Sequence, residues 1–257
     1  VYSGDFTLSV NKDGYQGFST IIEVQANQNK ALGSFNIDAF TISGNVDLLG
    51  TTDESGALVN IKGTGITAVT DAAGAFSVSG ILAGSYELQV SKSGYQSQTI
   101  QASISNAQPS VTLENPVALN QYSISGTVFL AAGDDHSAIS VTLLGTGITA
   151  QSDADGVFRL LGMNPGNYQI QVSKAGYQVK TQALNITDFD PAVSLSSAIT
   201  ITEFAINGTA QLAGLADHSA INISVLGTGV STTTAADGSF SLTGLSAGNY
   251  QLQINKG

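Results

Sequence analysis

The chain of 257 residues has no cysteine and no tryptophan, a single methionine, two histidines and only four prolines. Without thiols it can form neither disulfides nor thiolate metal sites, and it is indifferent to the redox state of its compartment. Charged residues make up 11% of the sequence, against roughly 25% in ordinary soluble domains. With 19 acidic and 8 basic side chains the net charge is −11. That sign repels phosphate backbones and anionic lipid, so no nucleic-acid partner is expected. No apolar run approaches the roughly 18 residues of a membrane span, so no membrane insertion is expected either. No signal-peptide pattern opens the sequence, which leaves a cytosolic chain or a processed or excised piece.

What the sequence has in plenty is glycine, 29 residues of it, together with Ser, Thr, Asn and Gln, and a 42% hydrophobic content sufficient for buried cores. It also repeats. "GTGITA" stands at 63–68 and again at 145–150, and returns as "GTGVST" at 227–232. In the same register "TDAAGAFSVSG" (70–80) lies over "SDADGVFRLLG" (152–162) and "AADGSFSLTG" (235–244). The alignment runs on through "AGSYELQVSKSGYQ" (83–96), "PGNYQIQVSKAGYQ" (165–178) and "AGNYQLQINKG" (247–257), with a further copy, "SGDFTLSVNKDGYQ", at 3–16. The period of 82 residues predicts four stretches: the C-terminal half of a repeat at 1–41, full repeats at 42–122 and 123–204, and the N-terminal part of another at 205–257. Because both ends fall at nearly the same phase, the chain reads as a window of a longer array or as a subunit completed by its neighbours.

Within each repeat apolar residues alternate with period two, the mark of strands with one buried face. Tyr86, Leu88 and Val90 do so, as do Tyr168, Ile170 and Val172, Tyr250, Leu252 and Ile254, and Phe6, Leu8 and Val10. Phe76 and Val78, Phe158 and Leu160, and Phe240 and Leu242 follow Gly-containing reversals. About seven strands fit one period, with no helical periodicity. The predicted fold is all-β: tandem seven-stranded Greek-key β-sandwiches, with partial modules at both ends.

The stretch "HSAISVTLLGTGITAQSDADGVFRLLGMNPGNYQIQVSKAGYQ" (136–178), with its counterpart from "DHSAINISVLGTG" (217–229), resembles the carboxypeptidase regulatory-like domains, small sandwiches of the prealbumin-like type. The resemblance covers the chain repeat by repeat. It implies a fold and leaves function open, because such modules accompany peptidases, transporters, adhesins and fibres alike. The peptidase activity associated with the family belongs to a separate domain, and no zinc-binding His/Glu pattern is present here. A likeness to Cna protein B-type domains raises the question of a Lys–Asn isopeptide staple. That staple needs a lysine in the first strand, and "TISGNVDLL", "SISGTVFLA" and "AINGTAQLA" have none.

Asp135, His136 and Ser137 spell a catalytic triad only in letters, since adjacent loop residues cannot adopt relay geometry and Glu54 replaces the histidine in the first full repeat. Asp153 and Asp155 beside Gly156 resemble the opening of a calcium loop and are the metal candidates, weakened by Ala73 and Ala235 at the equivalent positions. No cofactor is expected. Phe40, Tyr122 and Phe204 stand where one repeat runs into the next without a spacer and read as plugs between modules. Sequons at Asn185, Asn207 and Asn222 offer glycosylation. Six of the eight tyrosines recur as tyrosines at equivalent positions, Tyr122 stands where other copies have Phe40 and Phe204, and these seven read as structural; Tyr2 has no equivalent. "GTGITA" lacks the lysine and the following helix of a phosphate loop, and its glycines are expected to let a strand kink or bulge ahead of the next hairpin.

The function this implies is a structural segment of an extracellular filament, fibre or cell-surface stalk, prokaryotic and non-enzymatic. Its expected partners are copies of itself, joined head to tail with strand donation between half-modules. The alternative is a carbohydrate-binding or adhesive accessory module of a larger secreted protein, with surface glycans as its partner.

Overall fold

The structure, a computed structural model, describes residues 3–256. It divides into two compact units, residues 1–122 and 123–257. Among the described residues there is no helix, and therefore none long and apolar enough to cross a membrane.

The first unit begins with an antiparallel pair, β1 (Gly4–Val10) and β2 (Phe18–Val24), in register from Gly4↔Val24 to Val10↔Phe18. There follow β3 (Thr41–Leu48), β4 (Leu58–Ile61), β5 (Ile66–Val69), β6 (Ala75–Ser79), β7 (Gly84–Ser91), β8 (Gln98–Ile104), β9 (Ser110–Thr112) and β10 (Val117–Leu119). They make two sheets. One is antiparallel in the order β5-β4-β7-β8; the other is built on β3, with β6 antiparallel on one edge and β9 and β10 parallel to it. Thr41 N–H donates to Pro109 C=O and Leu49 N–H to Leu119 C=O, so β9 and β10 lie end to end along the same edge of β3. The expected seventh strand is thus one strand broken at Leu113–Pro116, and it runs parallel to the first, a pairing that alternation by itself does not encode.

The two sheets enclose Ile42, Val46, Leu48, Val59, Ile61, Val78, Leu88, Val90, Ile104 and Leu119, all buried, with Phe40, Phe76 and Ile81. These are the alternating positions of the sequence, as a two-faced sheet requires.

The second unit repeats this plan. It comprises β11 (Ser123–Leu130), β12 (Ser140–Leu143), β13 (Ile148–Gln151), β14 (Val157–Leu161), β15 (Gly166–Ser173), β16 (Lys180–Ile186), β17 (Ala192–Ser194) and β18 (Ile199–Ile201). The sheets are β13-β12-β15-β16, and β14-β11 with β17 and β18 parallel to β11. Beyond them lie β19 (Phe204–Thr209), β20 (Asn222–Val225), β21 (Ser231–Thr233), β22 (Ser239–Leu245) and β23 (Leu252–Asn255). These form β19-β22 and β21-β20-β23 over a smaller core of Ile221, Ile223, Val225, Leu242 and Leu245.

The Gly-Thr-Gly segment is a hairpin turn rather than a kink within a strand. It joins β4 to β5, where Ile61 pairs with Ile66, and Gly63 and Gly65 hold φ of 79° and 73°. No heavy atom lies near either glycine, so left-handed backbone is the reason for both. The threonine between them closes the turn: Thr64 Oγ1 donates to Ile61 C=O (2.9 Å) and accepts from Ile66 N–H (3.1 Å). Thr146 and Thr228 make the same two bonds in their repeats.

Candidate functional site

The polar letters that invite a chemical reading converge on one loop in each repeat, the one after the first strand. His136 Nδ1 accepts the Leu130 N–H at 3.2 Å, and His218 Nδ1 accepts the Leu212 N–H at 3.1 Å. Glu54 Oε2 takes the Leu48 N–H in the first full repeat. Histidine and glutamate interchange because the position needs only an acceptor. Asp135 does not touch the imidazole as a triad partner would. Its Oδ1 accepts the Ser137 N–H at 2.9 Å, and Asp217 does the same for Ser219. That backbone bond, followed by the bond from the serine hydroxyl, holds the Asp135 and Asp217 carboxyls below the usual carboxylate range.

The loop is held by two further side chains. Thr70, buried, accepts the Ala57 N–H at 3.0 Å and donates to Glu54 C=O at 2.6 Å. Ser152 serves Ile139 and His136 in this way, and Thr234 serves Ile221 and His218. The strand-end lysines donate to the same loop: Lys174 Nζ to Ser137 C=O at 2.6 Å, Lys256 Nζ to Ser219 C=O at 2.8 Å, and Lys92 Nζ to Ser55 C=O. An amine at a strand end ordinarily reaches for water; here its place is a backbone carbonyl. The signal for both partners was in the sequence as a hydroxyl residue and a lysine kept in phase with the repeat, but pairing them needs the fold.

Asp153 Oδ1 accepts the Val157 N–H at 2.8 Å, so its carboxylate closes the β13–β14 turn, while Asp155 is exposed. Gly156 completes that turn with φ of 78°, and a Cβ there would stand 2.2 Å from Val128 C=O. Among the described residues no three His, Asp or Glu side chains are grouped to hold a metal.

The tyrosines of the alternating strands use their hydroxyls locally. Tyr86 donates to Leu82 C=O, Tyr168 to Asn164 C=O, and Tyr250 to Ser246 C=O, at 2.6–2.8 Å. Each ring covers the glycine two residues earlier, which explains the Gly-x-Tyr motif. Tyr2 lies outside the described residues.

The Gly-Tyr-Gln motif grips the segment leading out of its own repeat. Gly14 C=O accepts the Phe40 N–H, Gly94 C=O the Tyr122 N–H, and Gly176 C=O the Phe204 N–H, each at 2.9 Å. Gln16, Gln96 and Gln178 N–H donate to the carbonyls of Asp38, Asn120 and Thr202 at 2.7–2.8 Å. Phe40 is buried in the core of the 42–119 sandwich, Tyr122 is 1% exposed, and Phe204 is half-buried. Inside the first unit, Gln16 Nε2 also donates to Asn106 C=O, and a Cβ on Gly14 would come within 3.1 Å of Gly80 Cα. The sequon residues Asn185, Asn207 and Asn222 are exposed but sit within strands; Asn185 Nδ2 donates to Asn167 Oδ1 across β15–β16 at 2.8 Å.

A family model described as carboxypeptidase regulatory-like domain matches residues 123–200, and one described as CarboxypepD_reg-like domain matches residues 42–122. No curated protein matches the chain. Among solved structures, a type II cohesin–X-dockerin complex from Acetivibrio cellulolyticus matches at 27% identity and TM-score 0.28, over 32% of this chain and 57% of that one. The chain therefore spans little more than half of that relative's length. The Bacillus anthracis TIE protein matches at 12% identity and TM-score 0.30, over 99% of this chain and 55% of that one. A streptococcal ancillary pilin matches at 12% identity and TM-score 0.36, over 83% of this chain and 89% of that one.

Proposed function

We propose that this chain, which belongs to the carboxypeptidase regulatory-like domain family through its two tandem matches at 42–122 and 123–200, is a non-catalytic structural segment of an extracellular filament or cell-surface stalk of a prokaryote. Its modules stack end to end, and open sheet edges at 1–41 and 205–257 are closed by strands from neighbouring copies or from flanking sequence of a longer parent. The observation that carries this reading is the set of three backbone-bonded exits, Gly14–Phe40, Gly94–Tyr122 and Gly176–Phe204, each held by its own repeat with no spacer. A chain that clamps every exit is suited to bearing load along an array, where each unit contacts its neighbours. The polar loop residues support the same reading, since His136, His218, Glu54, Asp135 and Asp217 each accept a backbone N–H and so hold the loop. In an exported chain the exposed sequons at Asn185, Asn207 and Asn222 are attachment points for glycans.

Sedimentation over a hundredfold concentration range, followed by electron microscopy, tests the proposal. Concentration-dependent head-to-tail oligomers are expected. A strictly monomeric chain whose terminal strands resist hydrogen exchange would sink the closure of open edges. Discrete monomers that bind polysaccharide would favour an adhesive accessory module instead.

A further inference from the structure

In both complete sandwiches the first strand receives a leucine and then an apolar pair from the broken parallel strand. Leu113 sits on Gly44 and Leu195 on Gly126, each so close that a Cβ on the glycine would stand 3.0 Å from the leucine. Their amides donate to Ser43 and Ser125 C=O at 2.8 and 2.9 Å. Farther along, Val117 lies opposite Val46 and Leu119 opposite Leu48; in the second sandwich Ile199 lies opposite Val128 and Ile201 opposite Leu130.

The equivalent edge of β19 has no partner among the described residues, and β19 pairs only with β22. The glycine seat is taken by another group: a Cβ on Gly208 would meet the Phe240 ring at 2.8 Å. Beside it Phe204, Ala205, Ile206, Leu245 and Tyr250 line a cleft. At the positions that face the apolar pair, the third copy has Ala210, where the others have Val46 and Val128, and Leu212. The chain also carries a segment of matching phase that lies outside any strand. Phe35 and Ile37 stand at the same spacing ahead of Phe40 as Val117 and Leu119 ahead of Tyr122, and Leu32 precedes them across Gly33-Ser34, in place of Glu114-Asn115-Pro116. Leu32 and Phe35 are 36% and 37% exposed.

We infer that residues 32–37 of a second copy of this chain close the open edge of β19 as a parallel strand, with Phe35 opposite Ala210, Ile37 opposite Leu212, and Leu32 on Gly208 in place of the Phe240 ring. The inference rests on the head-to-tail reading above and gives it a register. Among the described residues the size match points to this partner: the first strand that offers alanine meets the late segment that offers phenylalanine, so the summed volume stays near that of the Val–Val and Val–Ile pairs. Edge closure by a donated strand also satisfies the Asn207 C=O, which stands where Ser43 and Ser125 C=O accept the Leu113 and Leu195 N–H in the complete sandwiches.

The absence of native cysteine makes the test direct. Chains carrying Phe35→Cys are mixed with chains carrying Ala210→Cys under mild oxidation, and the products are mapped by peptide mass spectrometry. A 35–210 disulfide between chains is expected, at least tenfold more abundant than the link from Phe35→Cys to Gln211→Cys, which faces the other way. As a second arm, Ala210→Phe weakens self-association at least tenfold, and mixing that variant with Phe35→Ala chains restores it. If the chain associates but links elsewhere, or the size swap restores nothing, the register is overturned while head-to-tail assembly stands. If no association occurs at any concentration, both are overturned.

Discussion

Ala138 and Ala220 hold φ of 55° at the position where the first full repeat has Gly56, at φ of 77°. Left-handed backbone costs an L-residue with a Cβ about 1–2 kcal/mol, offset in part by the greater unfolded-state freedom of glycine. Ala138→Gly and Ala220→Gly are therefore expected to stabilise their modules by up to about 1 kcal/mol each, read as a higher urea midpoint at unchanged slope. The reverse change, Gly56→Ala, lowers it. The residues before them show how one backbone demand admits different letters: His136, His218 and Glu54 each accept one strand amide. A reader of the sequence sees a histidine that comes and goes, whereas the fold sees a constant acceptor.

At the scale of the element, the loop after the first strand is fixed by groups far apart in sequence. Thr70 is the one whose removal tests this most cleanly, because valine keeps its shape and removes its hydrogen bonds. Thr70→Val leaves the buried Ala57 N–H and the part-buried Glu54 C=O without their Thr70 partner, and a loss of about 1–3 kcal/mol is expected by chemical denaturation. Ser152→Ala loses the same pair of bonds in the second sandwich. The hairpin turns behave differently, since Thr64, Gly63 and Gly65 settle their geometry locally. Neighbouring residues alone therefore build the turn, even though the sequence pointed to a kink there, whereas the loop clamp draws on residues far apart in the chain.

For the whole molecule, the carboxylates of these loops link stability to pH. The Asp135 and Asp217 carboxyls are held below their ordinary value of 3.8 by bonds from Ser137 and Ser219. A group whose pKa is lower in the folded state stabilises the fold above its unfolded pKa, and that contribution is lost as pH falls through the folded value. Stability is thus expected to be flat with respect to these groups above about pH 5 and to decline below about pH 4. Replacing both with asparagine should make the decline shallower in thermal melts taken between pH 6 and pH 2.5. The acidic surplus of −11 contributes its own repulsion near neutrality, which moderate salt screens; the melts are therefore compared at fixed ionic strength.

The sequence by itself determined the fold class, the period and the buried face of the strands in the two complete sandwiches. These follow from alternation, glycine and local side-chain bonds, all of which act within a few residues along the chain. In the end segments Phe6, Leu252 and Ile254 are exposed at 46%, 36% and 55% despite their alternation, and the Gly-Thr-Gly segment, expected as a kink within a strand, is a hairpin turn. Only the tertiary structure decided that the last strand is split and runs parallel to the first, that Lys174 and Ser152 meet at the 136–138 loop, and that Gly44 and Gly126 are seats for Leu113 and Leu195. Such pairings join residues tens of positions apart, and a period-two pattern records which face a side chain takes but not which strand lies beside it. The same limit holds for Phe240: its place in the alternation matches that of Phe76 and Phe158, and only the structure shows its ring against Gly208, where a Cβ would meet it at 2.8 Å.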